Sequence, residues 1–250
     1  MSRQMQVVIT MAGLGSRFRK VGYNVPKYRI LANGKTLFHW SMESLKNFID
    51  SGAHFVFVVR ADDQATDFIH EQLKEIGIGS FSIIEINEMT DGQATTAMLA
   101  EQSLTDKTAP FCIYNIDTYV DPSALPGSAV RGEGWIPCFD AEGDAWSFVA
   151  LGPDGRATEV REKVRISLHA TIGLYYFSSF EVYRSLYQET YTEERPTEAG
   201  EKYVAPLYNA LIERNGDVFI HDVPKSALTP LGTPEDVMRF DPQASIDKVK

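Results

Sequence analysis

The sequence predicts an α/β protein, a three-layer sandwich in which helices cover both faces of a mixed, mostly parallel, Rossmann-like sheet. Short continuous apolar runs, the mark of strands covered on both faces, alternate with helix-period stretches through the first half. After about residue 130 the strand-like runs crowd together, with short turns such as Pro153-Asp154-Gly155, which adds antiparallel or mixed strands. No repeat or low-complexity linker divides the chain, so residues 1–250 read as a single domain.

Val7-Val8-Ile9 opens the chain as a buried strand, since β-branched side chains suit a pleated surface. Leu37 to Ile49 repeats apolar or small residues at Leu37, Trp40, Ser41, Leu45 and Phe48, one face of a helix, and Gly52 stops it. Phe55 to Val59 is the second strand, Ala65 to Ile76 a helix closed by Gly77, and Phe81 to Ile84 the third strand. Thr95 to Ser103 reads as a helix and Phe111 to Asn115 as the fourth strand. Trp135 to Phe139, Ser147 to Leu151, Ala157 to Arg161 and Thr171 to Phe177 are strand-like. Ser179 to Tyr187 and Val204 to Asn215 are helical, and the polar Thr192 to Gly200, with Pro196, reads as a mobile loop.

Composition narrows the function classes. A net charge of −10 and a pI near 5.0 argue against non-specific nucleic-acid binding, which needs a basic footprint. Cys112 and Cys138 lack metal-type spacing and read as buried hydrophobes, and the five histidines form no ligand set. No apolar leader follows Met1 and no run approaches ~18 apolar residues, so the expectation is a cytoplasmic protein without a membrane span. Nothing in the sequence speaks to the oligomeric state.

The chemistry-bearing residues begin where the first strand ends. Gly13-Leu14-Gly15 lets backbone pass close to a ligand and aim N–H groups at it, as anion sites require, although the same pair also serves ordinary turns. Arg17 adds a charged fork suited to phosphate oxygens, and Lys27, placed by Pro26, a second cation. Together they suggest a nucleoside triphosphate. In an open parallel sheet ligands gather at the carboxyl ends of the strands, and Asn115-Ile116-Asp117-Thr118 ends the fourth strand there. Asp117 is then either a Mg²⁺-holding carboxylate or a turn or cap aspartate.

These motifs resemble those of the sugar-phosphate nucleotidyltransferases, the nucleoside-diphosphate-sugar pyrophosphorylases. The Gly-x-Gly-x-Arg loop is Gly13 to Arg17, the Pro-Lys pair Pro26-Lys27, and the Gly-Lys-Thr-Leu helix entry Gly34 to Leu37. The base-contacting loop corresponds to Asp91-Gly92-Gln93-Ala94-Thr95, the magnesium aspartate to Asp117, and the acceptor pair to Glu162-Lys163. A strand Thr171-Ile172-Gly173-Leu174-Tyr175 and a helix start Gly232-Thr233-Pro234-Glu235-Asp236 follow in order. The resemblance implies a nucleotide-diphospho-sugar transferase-like fold, with a nucleotide-binding half over 1–120 and an acceptor-binding half over 121–250.

It also implies roles. Arg17 would grip the leaving phosphates, Lys27 would sit at the α-phosphate, and Mg²⁺ on Asp117 would align them. Met11, Ala12, Gly13, Gly15, Ser16, Gly92 and Gln93 would hold the nucleotide; Gln93 is alternatively only a helix N-terminal residue. Glu162, Lys163 and Thr171 would take the phosphorylated acceptor, though Glu162-Lys163 also reads as a solvated pair on a strand edge. Two departures stand out. The family's second metal aspartate falls at Pro230, with Asp222 the nearest upstream carboxylate, and Val164 replaces the proline after Glu-Lys. These leave open a cytidylyltransferase for a phosphocholine-like acceptor, a related-fold glycosyltransferase, or a nucleotide-sugar sensor without catalysis.

Overall fold

The computed structural model of the protein describes residues 3–192 and 200–244, so most of the polar stretch expected to form a mobile loop lies outside the described residues. The first half runs β1 (Gln6–Thr10), α1 (Ser16–Lys20), β2 (Leu31–Ala32), β3 (Lys35–Thr36), α2 (Leu37–Glu43), α3 (Lys46–Asp50), β4 (His54–Arg60), α4 (Thr66–Ile76), β5 (Phe81–Ile86), α5 (Gln93–Met98) and β6 (Phe111–Asn115). The second runs β7 (Thr118–Val120), β8 (Gly134–Asp140), β9 (Ser147–Leu151), β10 (Ala157–Glu162), β11 (His169–Thr171), β12 (Leu174–Phe177), α6 (Phe180–Thr190), α7 (Leu207–Glu213), β13 (Val218–Asp222), β14 (Leu228–Pro230) and α8 (Pro234–Phe240).

Ten strands form one sheet in the order β10-β9-β11-β8-β12-β6-β1-β4-β5, with β13 beside β8. The pairings make β1, β4, β5, β6, β8, β9 and β13 run one way and β10, β11 and β12 the other, the mixed, mostly parallel sheet that the sequence predicts.

Strand alternation builds the three layers. Val7 and Ile9 of β1 join Phe55, Phe57 and Val59 of β4 in a core closed by Phe38 and Met42 of α2. Their neighbours Val8, Val56 and Val58 point to the opposite face and join Ile113 of β6 in a second core with Phe180 and Tyr183 of α6. A third cluster, with Phe18, Leu37, Leu231 and Val237, ties α1 to α8 across the rim of the sheet.

Several elements depart from expectation for local reasons. The helix expected over Leu37 to Ile49 is two, because Ser44 donates to the Trp40 carbonyl and accepts from the Val120 N–H at 2.9 Å, competing with the helical ladder. The expected helix to Ser103 tightens after Met98 into a 3-10 segment. The strand expected over Thr171 to Phe177 is β11 and β12, broken at Ile172-Gly173. Gly173 has φ 85°, its carbonyl accepts from the Asn115 N–H at 3.0 Å, and a Cβ there would lie 2.8 Å from the Asn115 side-chain nitrogen. β13 escapes sequence reading because its apolar run, Val218-Phe219-Ile220, is only three residues long before His221-Asp222. Cys112 and Cys138 are buried free thiols, as expected. Among the described residues no helix is long and apolar enough to cross a membrane.

Gly173→Ala should therefore destabilise by ~2–4 kcal/mol, left-handed strain plus a clash. Gly143→Ala, at φ 76° with nothing within 4 Å of its Cβ position, should cost only ~1–2 kcal/mol. Urea midpoints of the two variants separate the terms.

Candidate active site

In-register pairing of β1 with β6 sets Thr10 beside Asn115, so the turns after both strands open on one rim of the sheet. A cleft of about 940 Å³ lies there. Met11 still belongs to the ladder: its N–H donates to the Val58 carbonyl at 3.0 Å, and its buried side chain does not line the cleft. From Ala12 the chain leaves the sheet. Gly15 adopts φ 59°, and its Cβ position would lie 3.8 Å from the Lys27 Cβ, so the glycine turn packs against the Pro26-Lys27 segment. Among the described residues the N–H groups of residues 13–17 find no protein acceptor. A run of unspent amides is an anion-binding surface. Ala12, Gly13, Gly15, Ser16 and Arg17 all line the cleft, and Arg17 is exposed with no ion partner among the described residues.

Lys27 is fixed from behind. Its neighbour Tyr28 is buried, and Arg29 donates to the carbonyls of Asp63 and Gln64 at 3.1 and 2.6 Å. The Lys27 Nζ lies 3.1 Å from Asp117 Oδ2. Asp117 sits on the tight turn between β6 and β7 and caps no helix; its carbonyl accepts from the Leu231 N–H at 2.8 Å. Pro230 pairs with Thr118, and a Cβ on Gly232 would lie 3.6 Å from Asp117 Oδ2. The position where the resemblance places a second metal aspartate is thus beside Asp117, but it holds proline. Asp222 stands elsewhere, 3.6 Å from His169 Nδ1 and outside the cleft, so it does not replace that aspartate. Among the described residues no group of three or more His, Cys, Asp or Glu side chains could hold a metal ion.

Gln93 donates through Nε2 to Thr10 Oγ1 at 3.2 Å and to Asn115 Oδ1, so it ties together the ends of β1 and β6 as well as starting α5. Gly92 is needed because Lys202 crosses it: a Cβ there would meet the Lys202 backbone nitrogen at 2.5 Å. Lys202 bonds Asp91 and Ala94 through its backbone and Asp91 Oδ2 through Nζ at 2.7 Å.

At the far end, Glu162 is only 8% exposed, accepts a hydrogen bond from the Ser147 hydroxyl and lies 3.6 Å from Lys163 Nζ. Lys163 is held beside the cleft but does not line it; it donates to the Tyr203 hydroxyl at 2.7 Å with its ammonium 4.5 Å from that ring's centre. Partial burial pulls its pKa down, but the Tyr203 hydrogen bond and the charges of Glu162 and Glu201 outweigh this and raise it. Thr171 is buried and shares a hydrogen bond with the Tyr175 hydroxyl at 3.0 Å.

Sequence reading missed Trp146, Ser147, Glu201, Tyr203, Asp236 and Arg239, which also line the cleft. Ser147 faces Glu162 in the β9–β10 hairpin register, which alternation could have revealed. Tyr203 lies in irregular chain and left no periodic signal. None of the five histidines lines the cleft.

Comparison with known proteins places the chain in a class. No family model and no curated protein matches the chain, but solved structures do. An inositol-1-phosphate CTP transferase from T. maritima shares the fold at 18% identity, covering 94% of this chain and 93% of its own, with a TM-score of 0.75. A Bacillus anthracis protein assigned as a glucose-1-phosphate thymidylyltransferase does so at 16% identity, 96% and 95% coverage and a TM-score of 0.75. At these identities the likeness is one of fold. A nucleoside-diphosphate-sugar pyrophosphorylase from Vibrio cholerae RC9 is similar at 33% identity over 95% of this chain and all of its own, with a TM-score of 0.87. At that identity and coverage the chain belongs to the nucleoside-diphosphate-sugar pyrophosphorylase family.

Because the exposed Arg17 side chain has no hydrogen-bond or ion partner among the described residues, Arg17→Ala should leave the melting temperature of the ligand-free protein nearly unchanged, within ~0.5 kcal/mol of stability. It should sharply reduce the thermal shift produced by Mg²⁺ and a nucleoside triphosphate. A comparable loss of stability without ligand would make Arg17 a structural residue.

Proposed function

We propose that the protein joins a nucleoside triphosphate to a sugar 1-phosphate, releasing pyrophosphate and forming a nucleoside-diphosphate sugar. The observation that carries this reading is the row of unspent amides at 13–17 flanked by Arg17 and Lys27, opposite Asp117, at the carboxyl ends of parallel strands. Residues 1–120 would hold the nucleotide and 121–250 the acceptor.

In this reaction an acceptor phosphate oxygen attacks the α-phosphorus in line while the bond to pyrophosphate breaks. The phosphate is anionic near neutral pH and needs no general base, which agrees with a cleft that no histidine lines. The task left to the chain is positioning and charge neutralisation. Gly13, Gly15 and Ser16 hold phosphate oxygens through their N–H groups, and Arg17 takes the leaving pyrophosphate. Lys27 meets the charge growing at the α-phosphate. Ala12, Gly92 and Gln93 border the base. Met11 contributes only by ending the ladder that aims the loop. Asp117 supplies one carboxylate and Pro230 none, a donor set that suits a Mg²⁺ ion retaining phosphate oxygens and waters. Bound there, Mg²⁺ would neutralise and align the phosphates.

A second acceptor class has its own support. The acceptor end presents Glu162, Glu201, Trp146 and Tyr203 to the cleft, while the Lys163 ammonium is held by Tyr203 beside it. Carboxylates and aromatic faces suit a cationic, phosphocholine-like acceptor.

Pyrophosphate release from Mg²⁺ with CTP, UTP or dTTP, tried with sugar 1-phosphates and with phosphocholine, decides between the two. Release with a sugar 1-phosphate supports the first reading, release only with phosphocholine the second, and none with either class contradicts both. Lys27→Ala should lower kcat by ~10²–10³ with a smaller effect on nucleotide binding. A raised KM alone would reduce Lys27 to a binding residue. With a sugar 1-phosphate, Glu162→Gln and Lys163→Ala should each raise the acceptor KM and leave that of the nucleotide nearly unchanged. Unaltered acceptor kinetics in Lys163→Ala would remove it from the acceptor site.

A further inference from the structure

We propose that Lys27 keeps Asp117 closed to free divalent cations, so that a metal ion enters this site only together with a triphosphate. The inference rests on the reading of Asp117 as the metal carboxylate and adds an order of entry.

Three observations support it. The Lys27 ammonium occupies Asp117 Oδ2 at 3.1 Å, and both side chains are largely shielded, at 20% and 31% exposure. The backbone that carries the lysine is anchored: its neighbour Tyr28 is buried and Arg29 donates to the carbonyls of Asp63 and Gln64, so the ammonium is presented to Asp117 from a fixed stem base. Beside Asp117, Pro230 faces Thr118 and Gly232 presents no side chain, so neither position adds a carboxylate.

A free divalent ion would therefore have to share one carboxylate with a held ammonium of like charge. That arrangement disfavours binding from solution. A triphosphate changes the balance. Its oxygens offer Lys27 a new anionic partner next to the 13–17 amides, which releases the carboxylate, and they add ligands that a lone aspartate cannot supply. Lys27 would thus act twice, first by excluding an ion that arrives alone and then by meeting the phosphates.

The test is Mn²⁺ binding to the nucleotide-free protein, followed by electron paramagnetic resonance of the free ion. The natural protein should bind Mn²⁺ no better than Asp117→Asn does. Lys27→Met, which keeps the stem and removes the charge, should gain one site at least ten-fold tighter, and Lys27→Met/Asp117→Asn should lose it again. Adding inorganic tripolyphosphate to the natural protein should produce a protein-bound Mn²⁺ signal that Asp117→Asn weakens. The proposal is overturned if the natural protein binds Mn²⁺ through Asp117 without tripolyphosphate, or if a folded Lys27→Met gains no site. The comparison of natural protein with Asp117→Asn stands even if Lys27→Met fails to fold. Failure of pyrophosphate release would sink the transferase reading while leaving this titration interpretable, because the titration involves no nucleotide and no acceptor.

Discussion

Parallel pairing of β1 with β6, level at their carboxyl ends, is the constraint from which the rest of the site follows. It brings the Gly13–Arg17 turn, after one strand, next to the Asp117 turn after a strand that lies a hundred residues further along. Gln93 braces the two ends from a third element by bonding both Thr10 and Asn115. The next strand in the sheet, β12, then hangs on the same edge, with the Gly173 carbonyl on the Asn115 N–H, so the far end of the cleft is positioned by the strand that positions Asp117. Neither half of the cleft could be moved without breaking that ladder.

Electrostatics set a different requirement. The chain carries a net charge of −10, so an anionic ligand must be held by local features against an unfavourable overall field. The amides of 13–17 are well suited to this because they are fixed dipoles that need no counter-ion and no reorganisation. The Lys27–Asp117 pair is a weak tie by comparison. Its gross attraction at 3.1 Å is ~5 kcal/mol at an effective dielectric of about 20, but desolvation and ordering leave partly exposed pairs ~0–1 kcal/mol net. A ligand with several negative charges can therefore exchange with it.

How legible this was in the sequence depended on whether a residue's job is local. The strands Phe55 to Val59, Phe111 to Asn115 and Ser147 to Leu151 announce themselves through continuous apolar runs, and the structure has all three. Arg17, Lys27, Gln93, Asp117 and Glu162 were recognisable because their neighbours form ordered motifs, and all five line one cleft. Misreadings came where a distant contact overrules a local pattern. Ser44, where the expected helix divides, accepts from the Val120 N–H, and Asn115 leaves room only for glycine at 173. The resemblance assigns Lys163 to the acceptor, and nothing local in the sequence signals that Tyr203, forty residues away in irregular chain, accepts a hydrogen bond from its ammonium. The resemblance sets Met11 with the nucleotide-binding loop, while the ladder bond from its N–H to the Val58 carbonyl is invisible in the sequence.

The central claim is that the backbone of residues 13–17 is the phosphate cradle. Amide nitrogen–proton spectra recorded while Mg²⁺ and inorganic tripolyphosphate are added test it without any assumption about base or acceptor. The account predicts that the largest shifts cluster at Gly13, Leu14, Gly15, Ser16 and Arg17, with the turn at Asp117 responding next. Shifts confined to other surfaces, or none at saturating tripolyphosphate, would contradict it.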